Sequence, residues 1–234
     1  SEDLFVGRID WQKSQKSSFF GRFSGGNLNV DSTFDGKNPI SINTYGFHDL
    51  DYQLSLGNTY LIGSNIVSSL RLSASRTNIV KIDDAYSSLA DFGSNYTPLG
   101  GKVVSLSVTG GLGFTIGGGS AVPGASHNGP NPSISEDISW VKGNHQIGIG
   151  GSLYHQSMNY WSGLSAVGSV TFDGTVTGLG LADLLTGNAR TFSQGTLQGF
   201  YTRQYYMSLY AQDSWKANRR LTLNYGVRWE PYLS

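Results

Sequence analysis

This chain of 234 residues carries 16 basic and 16 acidic side chains, so its formal charge is zero and nothing in its bulk electrostatics attracts nucleic acid. Charged residues make up only 14%, while Gly supplies 32 residues and aromatics 12%, a composition that excludes a disordered chain and a helix bundle. Cysteine is absent, which rules out a disulfide framework and thiolate metal sites. No run of about 18 apolar residues exists to form a membrane helix. Barrel strands need only about 9–11 alternating residues each, so a membrane fold stays open.

The alternation of side chains predicts four hairpins, read in chain order. The first rises over Leu4–Gln12, with Phe5, Gly7, Ile9 and Trp11 on one face and Arg8, Asp10 and Gln12 on the other. It turns at Lys13–Ser17 and returns through Phe19 to Leu28. The second begins near Tyr45. Leu50, Tyr52, Leu54 and Leu56 oppose Asp49, Asp51, Gln53 and Ser55. Beyond a tip at Ile62–Asn65, Ile66, Leu70, Leu72 and Ala74 oppose Arg71, Ser73 and Ser75. The third starts near Ser133, where Ile134, Ile138 and Trp140 oppose Ser135, Asp137 and Ser139, with Glu136 as a carboxylate on the apolar face. It turns at Lys142–Asn144 and returns with Ile147, Ile149, Gly151 and Leu153 on the apolar side. The fourth runs over Tyr205–Trp215, turns at Lys216–Arg220 and ends in Leu221–Glu230, where Leu221, Leu223, Tyr225, Val227 and Trp229 alternate with Thr222, Asn224, Gly226, Arg228 and Glu230. Successive side chains of a strand point to opposite faces, so each hairpin has one apolar and one wet surface.

Between the hairpins lie long stretches rich in Gly, Ser, Asn, Pro and Asp, at Asn29–Thr44, Lys81–Pro132 and Asn159–Gly199. Within them, Asp83–Phe92 reads as a short helix capped by Asp83 or Asp84, Val103–Ile116 as an extra hairpin arm, and Leu179–Leu185 as a short apolar helix ending at Gly187. Short tips at one end and long loops at the other are the pattern of outer-membrane barrels, which have short periplasmic turns and longer extracellular loops. The expected fold is therefore all-β: an antiparallel up-and-down meander of about eight strands, part of a transmembrane β-barrel with long extracellular loops. With periplasmic tips, the chain enters and leaves on the extracellular side, which leads us to expect a piece from inside a larger barrel.

The stretch Tyr210-Ala211-Gln212-Asp213-Ser214-Trp215-Lys216, continued by Arg220 to Pro231 (Arg-Leu-Thr-Leu-Asn-Tyr-Gly-Val-Arg-Trp-Glu-Pro), resembles the barrel of TonB-dependent outer-membrane receptors. It is most similar to the Oar-like branch, whose members often carry a carboxypeptidase-regulatory-like domain. The segments Gly180–Gly187, Val6–Trp11 and Phe20–Phe23 resemble that branch as well. The resemblance implies a barrel of roughly 22 strands closed by a plug domain, and active uptake of a scarce solute powered by the inner-membrane TonB complex. Nothing in residues 1–234 resembles a plug or a TonB box, so the chain is expected to be a partial barrel domain. The implied partners are outer-membrane lipid, the protein's own plug, the TonB complex and an imported solute, in the outer membrane of a Gram-negative bacterium.

The wet face supplies the candidate site residues Arg8, Asp10, Arg22, Asp49, Asp51, Arg71, Arg228 and Glu230 as lumen-facing groups. Trp11, Trp140, Trp215 and Trp229 lie near strand ends and are the candidates for an interfacial girdle. No enzymatic role is expected: His48, His127, His145 and His155 have no metal-ligand spacing, no Gly-x-Ser-x-Gly elbow occurs, and no cofactor or metal site is expected. Two other readings of the residues stay open at this point. One is a complete small barrel of porin or anchor type; the other is a secreted β-sandwich that binds carbohydrate or a surface partner.

Overall fold

The structure is a computed structural model and describes residues 1–234 except 39–40, 42–44, 83–86, 98, 100–101, 104, 118–123, 164–165 and 234. In chain order the strands are β1 (Glu2–Ser14), β2 (Ser17–Val30), β3 (Gly46–Ile62), β4 (Ile66–Ile82), β5 (Ser105–Val108), β6 (Phe114–Gly117), β7 (Gly124–Lys142), β8 (His145–Ser162), β9 (Ser169–Phe172), β10 (Thr191–Ser193), β11 (Gln198–Lys216), β12 (Thr222–Trp229) and β13 (Tyr232–Leu233). A 3₁₀ turn covers Leu89–Phe92, and helix α1 covers Gly180–Thr186.

The long strands form a single antiparallel sheet in the order β1-β2-β3-β4-β7-β8-β11-β12, with β13 beside β11. Every neighbour along that path is also the next long strand in sequence, so the sheet is the expected up-and-down meander. Among the described residues β1 and β12 pair with no further strand, and the sheet is open. Directly opposed residues of an antiparallel pair share a face, so the register carries one parity across all eight strands. From Phe23 it passes to Leu54 and Ala74, and from Leu56 through Leu72 and Ile134 to Leu153. It continues from Ile149 through Ala211 to Val227. That face is apolar and open to the surroundings: Leu54, Leu56, Leu72, Ile134, Ile149 and Leu153 are all exposed. The sheet therefore has no covered core of its own.

The strands extend further than their alternation suggests. β7 begins at Gly124 rather than Ser133, β11 at Gln198 rather than Tyr205, and β4 and β8 continue to Ile82 and Ser162. The long connections shrink accordingly to 31–45, 83–123 and 163–197. At this end of the sheet polar and apolar side chains are mixed on both faces, so backbone pairing continues after the apolar-polar alternation has vanished. Pro130 and Pro132 also hide β7, because proline belongs at a strand's edge or bulge, and the β7–β8 register does shift between Asn128 and Ser133.

The two longest loops are not independent. They form a second sheet in the order β10-β9-β5-β6, in which β5 from one loop pairs in parallel with β9 from the other. A clustered core lies here, with Leu106, Val108 and Phe172 buried and Leu89, Phe114, Ile116, Val170 and Leu184 packed around them. The expected arm over Val103–Ile116 is thus the β5–β6 hairpin. The expected helix at Leu179–Leu185 is α1, one residue later and closed by Gly187. Of the expected helix at Asp83–Phe92, the described residues form a 3₁₀ turn, with Ser88 as its cap, its N–H and hydroxyl both donating to Asp91 at 2.8 Å. Asp83 and Asp84 lie outside the described residues.

Asp183 anchors α1 inside this cap. Its buried carboxylate accepts hydrogen bonds from the Thr177 hydroxyl at 2.6 Å, the Thr177 N–H at 2.9 Å and the Val176 N–H at 3.3 Å. These donors, the Thr177 hydroxyl foremost, hold its pKa below the ordinary 3.8. A depressed carboxylate stabilises the folded form at full strength above its unfolded pKa and loses that contribution as pH falls through the folded one. Pepsin is accordingly expected to cut within 174–187 increasingly as pH falls from about 4 to 2, beyond its own activity change on an unfolded control. Asp183→Asn should remove that extra pH dependence; an unchanged profile would contradict this role.

Candidate functional site on the polar face

The opposite parity assembles the polar side chains. Five strands build one network near the middle of this face. Arg71 of β4 pairs with Asp137 of β7 at 3.1 Å. The other Asp137 oxygen accepts the Tyr210 hydroxyl of β11 at 2.7 Å. The guanidinium of Arg228 on β12 lies 5.9 Å from the centre of the Tyr210 ring, and its Nε meets Glu230 at 2.5 Å. Tyr210 must cross β8 to reach Asp137, and it does so over Gly150, which is register partner to both. A Cβ at Gly150 would stand 2.5 Å from the Tyr210 ring and 2.8 Å from the Asp137 carboxylate. The glycine is therefore what lets the network span the strand. Beside it opens a concavity of about 970 Å³ bordered by Ser69, Asp137, Gly148, Tyr210, Gln212 and Arg228.

The remaining candidates fall into two groups. Arg8 and Asp10 form a two-pronged pair at 2.8 and 2.7 Å, with the Arg8 guanidinium 4.7 Å over the Phe20 ring. Arg22 stands opposite Arg8 on β2. Toward the long-loop end, Asp49 and Asp51 border a second concavity of about 360 Å³ together with Glu2 and Gln53. The polar face is thus acidic at its long-loop end, and its arginines lie nearer the tips. Hydroxyl pairs fill the space between, Ser73 with Ser133 at 2.7 Å and Ser152 with Ser208 at 2.8 Å. All eight charged candidates occupy the polar parity, but only Arg71, Arg228 and Glu230 join the central network.

Two members of that network were not among the sequence candidates. Asp137 was legible, since it alternates with Ile134, Ile138 and Trp140. Tyr210 was not, because a tyrosine satisfies an apolar and a polar face equally. The surfaces available are hydroxyls, glycine backbone and largely self-neutralised ion pairs. Such a wall can give water or a polar protein surface many exchangeable hydrogen bonds without one dominant charge. Among the described residues no group of three or more His, Cys, Asp or Glu side chains could hold a metal ion.

On the apolar face, Trp11 stacks on Phe19 at 5.5 Å. Lys142 lies 5.0 Å over Trp140, and Trp215 stacks on His145 at 5.6 Å and 3°. These three stand beside the short tips. Trp229 shares the face but lies at the far end of β12, opposite Leu209. The carboxylate of Glu136, on the apolar parity, accepts the Ser68 hydroxyl at 2.6 Å.

A profile of the family described as "outer membrane beta barrel domain" matches residues 1–234. The chain belongs to that family. Its apolar face is the lipid-facing side of an outer-membrane barrel wall, the short tips are periplasmic and the cap of long loops is extracellular. The barrel wall is also similar in fold to a solved structure, that of the outer membrane transporter YddB from Escherichia coli, with a TM-score of 0.50 and 12% sequence identity. The similarity covers 98% of this chain and 27% of that one. No curated protein matches the chain. Among the described residues no helix is long and apolar enough to cross a membrane. Membership of the family sets aside the secreted sandwich.

Proposed function

We propose that this barrel wall is part of a TonB-dependent receptor of the Oar-like branch that takes up a scarce solute across the outer membrane. The observation that carries this reading is the open eight-strand wall, similar over nearly its whole length to about a quarter of an outer membrane transporter. The resemblance of Tyr210–Lys216 and Arg220–Pro231 to receptor barrels supports a larger barrel of which this wall is one part. The polar face contacts the receptor's own plug domain and the passing solute through the Arg71–Asp137–Tyr210–Arg228 network. The role is transport and not catalysis, and it requires no cofactor. The partners are outer-membrane lipid, the plug, the TonB complex through the plug, and the solute.

The test uses the full-length protein carrying this chain, extracted from outer membranes in detergent. It is expected to retain the purified periplasmic domain of TonB on a column, and to lose it when the residues preceding its plug are deleted. Failure to retain TonB, together with steady ion conductance in planar bilayers, would replace the receptor reading with that of a porin-like barrel.

A further inference from the structure

We propose that Arg76 and Arg203 form a binding site on the outside of the barrel for the phosphate groups of an outer-leaflet lipid. Both belong to the lipid-facing parity: Arg76 is register partner to Tyr52, and Arg203 is partner to Ser157 two residues beyond His155 and four beyond Leu153. Both are exposed.

Their height can be counted from the tips. Arg76 is ten residues from Ile66, which faces Trp140. At a rise of roughly 3.4 Å and a tilt of roughly 40° this is about 26 Å along the membrane normal. Arg203 is twelve residues from Trp215, or about 31 Å by the same arithmetic. The apolar band of such barrels is about 25 Å tall, so both guanidinium groups emerge just above it, at the level of the outer headgroups. β7 and β8 stand between them, which separates the two by roughly 14 Å across the sheet.

The chemistry of this belt is one-sided. From β3 to β11 the lipid-facing positions at this height include Tyr52, Asn78, His127, His155, Ser157 and Tyr205 beside the two arginines, and the strand register places no carboxylate among them. The acidic side chains of β3, Asp49 and Asp51, point to the lumen instead. Arg203 is held by neutral acceptors only: Asn159 Oδ1 at 2.7 Å and the carbonyl oxygens of Thr202 and Met158 at 2.7 and 3.1 Å. Its charge is oriented but not neutralised. Arg76 makes no ion pair among the described residues and lines a surface notch of about 230 Å³ with Leu50, Tyr52 and Asn78. An unneutralised arginine at a lipid headgroup layer is matched by phosphate, which its planar fork binds with two parallel hydrogen bonds.

The test is native mass spectrometry of the full-length protein in detergent, titrated with bis-phosphorylated lipid A, with the same lipid dephosphorylated, and with inorganic phosphate as competitor. Each arginine near an anionic surface is worth about fivefold in affinity, so R76Q/R203Q is expected to bind lipid A about 30-fold more weakly. R76K/R203K should keep most of the binding, and heat-modifiable gel mobility should be unchanged in both. Equal retention of dephosphorylated lipid, or an unaltered R76Q/R203Q, would overturn the proposal. So would displacement by millimolar inorganic phosphate, which would indicate a site for free anions. The comparison of the two lipids on the unmodified protein decides the matter even if a variant fails to fold. The outcome is independent of TonB binding, because the site lies on the outer surface of any barrel built from this wall.

Discussion

Leu72→Arg is expected to destabilise the folded barrel by about 2–4 kcal/mol, whereas Ser73→Arg, its immediate neighbour, should cost about 1 kcal/mol or less. Leu72 lies on the lipid face between Leu56 and Ile134. It is six residues from Ile66, about 16 Å above the tip-side girdle by the rise and tilt of barrel strands, close to the bilayer centre. An arginine there must shed its hydration or drag water and headgroups inward. Ser73 faces the lumen between Ser55 and Ser133. Arginine at that position loses one hydroxyl hydrogen bond to Ser133 and otherwise extends into water. The comparison is made by urea titration of the full-length protein folded into phospholipid vesicles, read by tryptophan fluorescence. Equal losses from both substitutions would mean that the two faces of β4 are not lipid and lumen.

Gly180→Ala is expected to open the extracellular cap while leaving the barrel intact. Gly180 begins α1 at the seam between the two long loops, where its N–H donates to the Gly110 carbonyl at 3.2 Å. A Cβ at this position would fall 1.8 Å from the Thr109 carbonyl oxygen and 3.0 Å from that of Phe172. Thr109 follows β5 and Phe172 ends β9, so a single methyl group forces apart the parallel pair that ties one loop to the other. Backbone cannot swing aside as a side chain can, so the cost belongs at or above the upper end of the roughly 1–3 kcal/mol usual for overpacking. Thermolysin applied to intact cells should then cleave within 109–113 and 173–190 far faster than in the parent protein. Heat-modifiable gel mobility of the barrel should stay unchanged. Resistance equal to the parent would show that the loops do not depend on this seam.

The two substitutions probe parts of the protein that differ in how they are encoded. A barrel strand meets lipid on one side and water on the other, and that contrast is written directly into residue order. This is why the side of the sheet taken by Arg8 and Asp10, by Asp49 and Asp51, by Arg71 and by Arg228 is readable from the alternation of each residue's own strand. Short tips against long loops likewise told which end is periplasmic, because turn length is a local property. Above the membrane both faces meet water, the contrast disappears, and the upper halves of β7 and β11 could not be told from loop.

What only the tertiary structure decided is which distant residues meet. The Asp137–Tyr210 hydrogen bond depends on Gly150 of an intervening strand, and no local pattern ties a glycine on β8 to a tyrosine sixty residues further on. The parallel β5–β9 pair joins two loops separated by the β7–β8 hairpin, and four-residue strands are too short to announce a partner. The belt of Arg76 and Arg203 is likewise invisible in sequence, where the two are far apart. Only the register of four neighbouring strands sets them on one face, just above the lipid's apolar band. The sequence by itself determined faces, tips and strand order, because these follow from period and turn chemistry. Contacts across the sheet and between loops waited on register and packing, because those depend on how whole strands slide into place against one another.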